Sequence, residues 1–70
     1  MIKVYEKSTY YLLVDADKGR GSWIPKIDDE RQPYWWPLPS TPLKGGILLG
    51  EIEKQEDLPS TLKMWRLLND

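Results

Sequence analysis

Residues 32–42 are the part of the chain that most restricts its fold. Four of these positions are proline: Pro33, Pro37, Pro39 and Pro42. Proline fixes its own φ, lacks an N–H donor and biases the residue before it toward extended geometry. The segment therefore excludes a helix, disfavours a central strand and predicts an extended arm that carries Tyr34, Trp35 and Trp36.

The sequence before this arm predicts three strands. Residues 2–6 alternate apolar and polar side chains, and residues 10–14 form an apolar run that suits a central strand buried on both faces. A short polar link joins them, so they should form a hairpin. Residues 22–27 predict the third strand. Pro25 cannot donate to a ladder, which should place this strand at an edge or at a bulge.

The sequence after the arm predicts one more strand and a helix. Residues 47–53 suit a strand in which Gly50 allows a bulge or the close approach of another group. Within residues 58–68, Pro59 suits a first helical turn, and apolar side chains recur at helical spacing: Leu58, Leu62, Trp65 and Leu68. This pattern favours a short helix, with a strand over 62–68 as the competing interpretation.

Seventy residues predict one small domain over 1–70. We expect a mainly β fold, either a small antiparallel meander or an SH3-like barrel of about four strands. The Pro/Trp-rich arm and the short C-terminal helix should close one face. An α+β fold, with a sheet packed against a helix, is the alternative.

The composition removes most catalytic chemistry. The chain has no His and no Cys, so it lacks the residues of common nucleophile pairs and of zinc or iron–sulfur sites. Residues 15–21 begin like a calcium loop, but Gly19, Arg20 and Lys26 stand where its fifth, sixth and twelfth residues would be. We therefore predict no metal site, no cofactor and no enzymatic activity.

Charge and hydropathy bear on the compartment. The longest uncharged run covers residues 32–43 and is interrupted by four prolines, which predicts no membrane insertion. No signal peptide is visible, and the chain has no cysteine. These features predict a cytoplasmic protein.

The arm predicts the function. Trp and Tyr dominate the energetics of protein interfaces, and a proline-fixed backbone presents them at a low ordering cost. We therefore expect a non-catalytic module that binds a larger protein, as an accessory subunit or as an inhibitor of a larger enzyme. The anchors would be Tyr34, Trp35, Trp36 and Leu38. The competing interpretation folds Trp35 or Trp36 back as a lid on the core; since adjacent side chains point apart, one Trp can fill each role. The sequence leaves homo-oligomerisation open.

A second hypothesis is a small nucleic-acid-binding barrel. Bases would stack on Tyr10, Tyr11 or Trp23, and phosphates would contact Lys18, Arg20 and Lys26. The formal net charge of −1 disfavours a nucleic-acid partner, because such proteins are usually basic.

Overall fold

The protein forms one antiparallel sheet and one helix. The structure is a computed structural model that describes residues 1–41 and 43–69, the last without its side chain. The strands are β1 (Ile2–Glu6), β2 (Tyr10–Asp15), β3 (Arg20–Pro25), β4 (Trp36–Pro37) and β5 (Ile47–Ile52), and helix α1 is Leu58–Asn69. The strand order is β4-β3-β2-β1-β5. The mainly β class with a C-terminal helix is confirmed.

Strands β1 to β3 form the predicted meander, and β5 departs from it. The predicted hairpin pairs β1 with β2 and is closed by the Lys7 amide, which donates to the Tyr10 carbonyl at 2.9 Å. Strand β5 returns to the outer side of β1. Within the described part of the chain β4 and β5 do not pair, so the sheet stays open and the SH3-like barrel is not formed. Strand β4 has only two residues, one of them Pro37, and so offers too few donors to close a barrel.

The third strand begins and ends earlier than predicted. A turn of 3-10 helix over Ala16–Lys18 leads into Gly19, whose φ of 63° favours glycine, and the strand starts at once with Arg20. It ends at Pro25 instead of residue 27. Strand β4 pairs only with Arg20 and Gly21, so no described strand lies on the outer side of Pro25. The N–H that Pro25 lacks is therefore not needed for a hydrogen bond to a described strand on that side.

The core lies between one face of the sheet and α1. Along β2, Tyr11 and Leu13 are buried, whereas Leu12 is only partly buried on the opposite face. The expectation that this strand is buried on both faces is therefore met on one face only. The buried apolar side chains are Ile2, Val4, Tyr11, Leu13, Ile24, Ile52, Leu58 and Leu62.

Strand β5 carries both features predicted for Gly50. Its register against β1 shifts between Val4 and Tyr5, which marks a bulge. A Cβ on Gly50 would lie 2.6 Å from Cζ2 of Trp65. The missing side chain thus lets the Trp65 ring of α1 pack directly on the strand.

Helix α1 confirms the helical interpretation of the C-terminal segment, and the competing strand is wrong. Leu58 and Leu62 lie one turn apart and are both buried in the core. Arg66 Nη1 lies 2.5 Å from Asp29 Oδ2, an ion pair that ties the helix to the loop after β3. Among the described residues, no helix is long and apolar enough to cross a membrane.

Candidate protein-binding face

The arm places neighbouring side chains on opposite sides of the sheet. Trp35 packs against the core cluster, whereas Tyr34 and Trp36 are 70% and 50% exposed. Ser22 Oγ donates to the Tyr34 carbonyl at 2.6 Å, and Gly21 pairs with Trp36 in the sheet. These two attachments hold the arm in an extended conformation against β3. Because side chains alternate along an extended chain, Trp35 points to one side of the sheet and its two neighbours point to the other.

Trp35 is held from several sides. The Arg20 guanidinium lies over its ring at 4.2 Å from the centroid, a cation–π contact. Its indole N–H donates to Gln55 Oε1 at 2.8 Å, and Gln55 in turn donates to Gln32 Oε1 at 3.2 Å. Asp15, buried beneath, accepts from Arg20 at 3.1 Å. Of the two interpretations of Trp35, this geometry matches the core lid.

Trp36 belongs to an exposed aromatic cluster. Its ring centroid lies 5.0 Å from that of Tyr34, with the planes tilted by 56°. In β3, Trp23 alternates with the buried Ser22 and Ile24, so it projects from the face opposite α1 and is 46% exposed. Gly21, the partner of Trp36, shares that face with Trp23.

Two shallow grooves adjoin these rings. One, of about 280 Å³, is lined by Ser22, Trp23, Arg31, Gln32, Tyr34 and Trp36. The other, of about 170 Å³ and almost wholly apolar, shares Trp23 and Trp36 with the first and includes Leu12, Leu38 and Leu43 in its lining. We use the term aromatic face for Trp23, Tyr34 and Trp36 with the apolar neighbours Leu12, Leu38 and Leu43.

The remainder of the arm is attached along this face. The Leu38 amide donates to the Gly19 carbonyl at 3.0 Å, and a Cβ on Gly21 would meet Leu38 Cδ2 at 3.0 Å. Farther along, Lys7 Nζ donates to the Lys44 carbonyl at 2.7 Å. The half-buried Leu38 therefore lies beside Gly21 in the aromatic face, which brings three of the four predicted anchors, Tyr34, Trp36 and Leu38, together.

Sequence reasoning missed part of this face. It gave Trp23 a role only in nucleic-acid binding and did not include Leu12 or Leu43. Alternation within residues 20–25 is the signal that would have placed Trp23 opposite the core. The pairing of β4 with β3 brings it beside Trp36, and that long-range contact has no local signal.

The residues proposed for nucleic-acid binding are not gathered on one surface. Arg20 and Lys26 form ion pairs with Asp15 and Glu6 at 3.1 and 2.9 Å. Arg20 lies on the core side of β3, whereas Trp23 projects from the other side. Lys18 is exposed in the 3-10 turn. Tyr11 is buried in the core, so the expectation that a base could stack on it is wrong. Nucleic-acid binding stays a prediction. Arg20 and Lys26 are engaged in ion pairs, and Arg20 lies on the opposite side of the sheet from the Trp23 ring on which a base would stack.

A polar cavity of about 430 Å³ lies at the end of the sheet near residues 15–20. At its rim the Met1 ammonium donates to Asp17 Oδ2 at 2.5 Å. This hydrogen bond raises the pKa of the amino group and lowers the pKa of the Asp17 carboxyl. Charges of both signs line the cavity, and the described residues contain no group of three or more carboxylates placed to hold a metal ion.

Comparison with known proteins adds no relative to this description. No family model matches the chain, and neither the curated proteins nor the solved structures contain a match.

Proposed function

We propose that the protein is a non-catalytic protein–protein interaction module that binds a larger protein through the aromatic face. It would serve as an accessory subunit of a larger assembly or as a small inhibitor of a larger enzyme. Both roles need the same property, which is a rigid surface that docks onto a partner without changing it chemically.

The exposure of Trp23, Tyr34 and Trp36 on one face carries the proposal. Removing such rings from water is favourable, and the fold leaves them in water although a chain of this size has few large side chains to spare. Trp and Tyr are enriched among the residues that dominate binding energy. The backbone of the arm that carries Tyr34 and Trp36 is already attached to the sheet, so little backbone entropy is lost there on docking.

The non-catalytic part of the proposal is supported by the side chains present. The chain has no His or Cys, and the carboxylates near the polar cavity lie among cations. The absence of cysteine also supports a reducing, cytoplasmic setting, which we include in the proposal.

Affinity capture with the tagged chain tests this proposal when it is followed by calorimetry with the purified partner. Trp36→Ala should weaken binding by about 2 kcal/mol or more, or about 30-fold in Kd, as expected for a central aromatic anchor. Leu67→Ala is the matched control, because Leu67 is 75% exposed on α1, away from the aromatic face. Equal affinities of wild type and Trp36→Ala, with the Leu67 variant weakened instead, would contradict the proposal.

A further inference from the structure

We infer that the free edge of β5 pairs with β5 of a second copy of this chain in antiparallel orientation, so that the two sheets join into one. The inference goes beyond the proposed function and does not use the aromatic face. Three features of the edge support it: its unpaired backbone, the apolar side of α1 beside it, and the opposite charges at its two ends.

Strand β5 is an open edge of the sheet. It lies last in the strand order, so its backbone groups that point away from β1 have no partner strand among the described residues. Within the same part of the chain, no turn or side-chain hydrogen bond reaches the backbone of residues 47–52. The other edge strand, β4, has only two residues and includes Pro37. Of these two edges, β5 therefore offers the ladder of donors and acceptors that another strand needs.

The side chains of β5 favour pairing at this edge. Apart from its bulge and Glu51, the strand lacks the devices that protect an edge, such as a lysine or a proline within it. Ile47 and Leu48 are 68% and 52% exposed. Their partners in β1, Glu6 and Tyr5, place Ile47 on the α1 face of the sheet and Leu48 on the opposite face. A strand added here therefore covers apolar side chains on both faces.

Helix α1 turns an apolar side toward the same edge. Lys63 and Arg66 form ion pairs with the loop after β3, so their side of the helix faces away from β5. Trp65 packs on β5, and Met64 and Leu68, both more than half exposed, share its side of the helix. A groove of about 610 Å³ lies between strand and helix. The unpaired strand and the exposed side of the helix thus form one apolar surface along the edge.

The charges at the ends of β5 indicate that the occupant is a second copy. Lys7 and Lys44 lie where the strand begins, and Lys7 Nζ donates to the Lys44 carbonyl at 2.7 Å. Glu51 and Glu53 lie at the other end and are exposed. Among the described residues, none of these four side chains forms an ion pair. Antiparallel pairing sets the basic end of each copy against the acidic end of the other, so the edge is complementary to itself.

The symmetry of this pair agrees with the position of the helix. A two-fold axis perpendicular to the sheet relates the copies, so both α1 helices lie on one side of the joined sheet. The apolar side of each helix then faces the edge of the other copy. Both aromatic faces lie on the opposite side of the sheet, where the second copy leaves them accessible.

Sedimentation equilibrium of the full chain tests the inference. Between about 10 µM and 1 mM, the average mass should rise from 8.2 kDa toward twice that value. Ile47→Lys should weaken the dimer by about tenfold or more in Kd, because each copy would bring a lysine to the paired edge. Leu68→Ala should weaken it by about threefold. Leu67→Ala is the matched control and should change nothing, because Leu67 lies one turn from Lys63 on the side of α1 that faces away from β5.

Amide hydrogen exchange provides a second measurement that does not depend on any variant. Exchange within residues 47–52 should slow as the concentration rises, because the amides that point away from β1 become hydrogen-bonded in the dimer. Exchange in β4, at the other edge, should not respond.

Three outcomes would overturn the inference. One is a chain that stays monomeric at about 1 mM while circular dichroism shows it to be folded. Another is a dimer that neither Ile47→Lys nor Leu68→Ala weakens. The third is a dimer that Trp36→Ala dissociates, which would place the second copy on the aromatic face and count against the proposed function as well. If the dimer forms through β5 while capture of a partner does not depend on Trp36, the proposed function fails and this inference stands.

Discussion

Trp35→Ala should destabilise the fold far more than Trp36→Ala, although the two residues are adjacent. Trp35 packs against the core, so the lower end of the cost of truncating a buried Trp, about 3 kcal/mol, applies. Its cation–π contact with Arg20 and its hydrogen bond to Gln55 fall within that total. Trp36 is half exposed, and its ring contact with Tyr34 contributes about 1 kcal/mol.

Urea denaturation followed by far-ultraviolet circular dichroism measures both costs, since tryptophan fluorescence would itself change with the substitution. The difference of about 2 kcal/mol corresponds to about 8–16 °C in Tm for a domain of this size. Trp35→Phe is the matched control, because it keeps a ring under Arg20 and loses only part of the bulk and the indole N–H. An equal or larger loss of stability in Trp36→Ala would refute the assignment of the two rings to different roles.

Two further predictions concern α1 and the chain start. Gly50→Ala should lower the free energy of unfolding by about 1–3 kcal/mol in urea denaturation, because the new Cβ would lie 2.6 Å from the Trp65 ring. In a Trp65→Leu background this loss should be smaller, and an unchanged loss would contradict the packing of Trp65 on Gly50. In an NMR pH titration, Asp17→Asn should lower the pKa of the Met1 amino group toward its ordinary value, and an unchanged pKa would show that Asp17 does not raise it. Because the pKa of Asp17 is lowered by folding, its contribution to stability is present above its ordinary value of 3.8 and is lost as the pH falls through the folded value. The Met1 group behaves in the opposite sense, since its pKa is raised: its contribution is present below 8.0 and is lost as the pH rises through the folded value.

Local patterns predicted the elements of this fold well. Alternation over residues 2–6 and the apolar run over residues 10–14 became β1 and β2, and the helical spacing of Leu58 and Leu62 became the start of α1. In each of these segments the period of the apolar side chains matches the surface that is buried, so tertiary packing reinforces the local preference.

Long-range pairing was not predicted, and the form of the sheet depends on it. Whether strands close into a barrel depends on which edges meet, and residues 47–53 contain nothing that selects the outer side of β1 over the outer side of β4. The same limit applies to the candidate site. The adjacency of Trp35 and Trp36 predicted that their rings diverge, but only the pairing of Gly21 with Trp36 determines which ring turns away from the core.

The indole N–H signals of the four tryptophans provide the most direct test of the aromatic face. A ¹⁵N-resolved spectrum of the protein is recorded with and without the partner obtained by affinity capture, and Trp→Phe variants assign each signal. We predict that the signals of Trp23 and Trp36 shift or broaden on binding, whereas those of Trp35 and Trp65, which pack against the core, stay in place. A spectrum in which Trp65 responds while Trp23 and Trp36 do not would contradict the account.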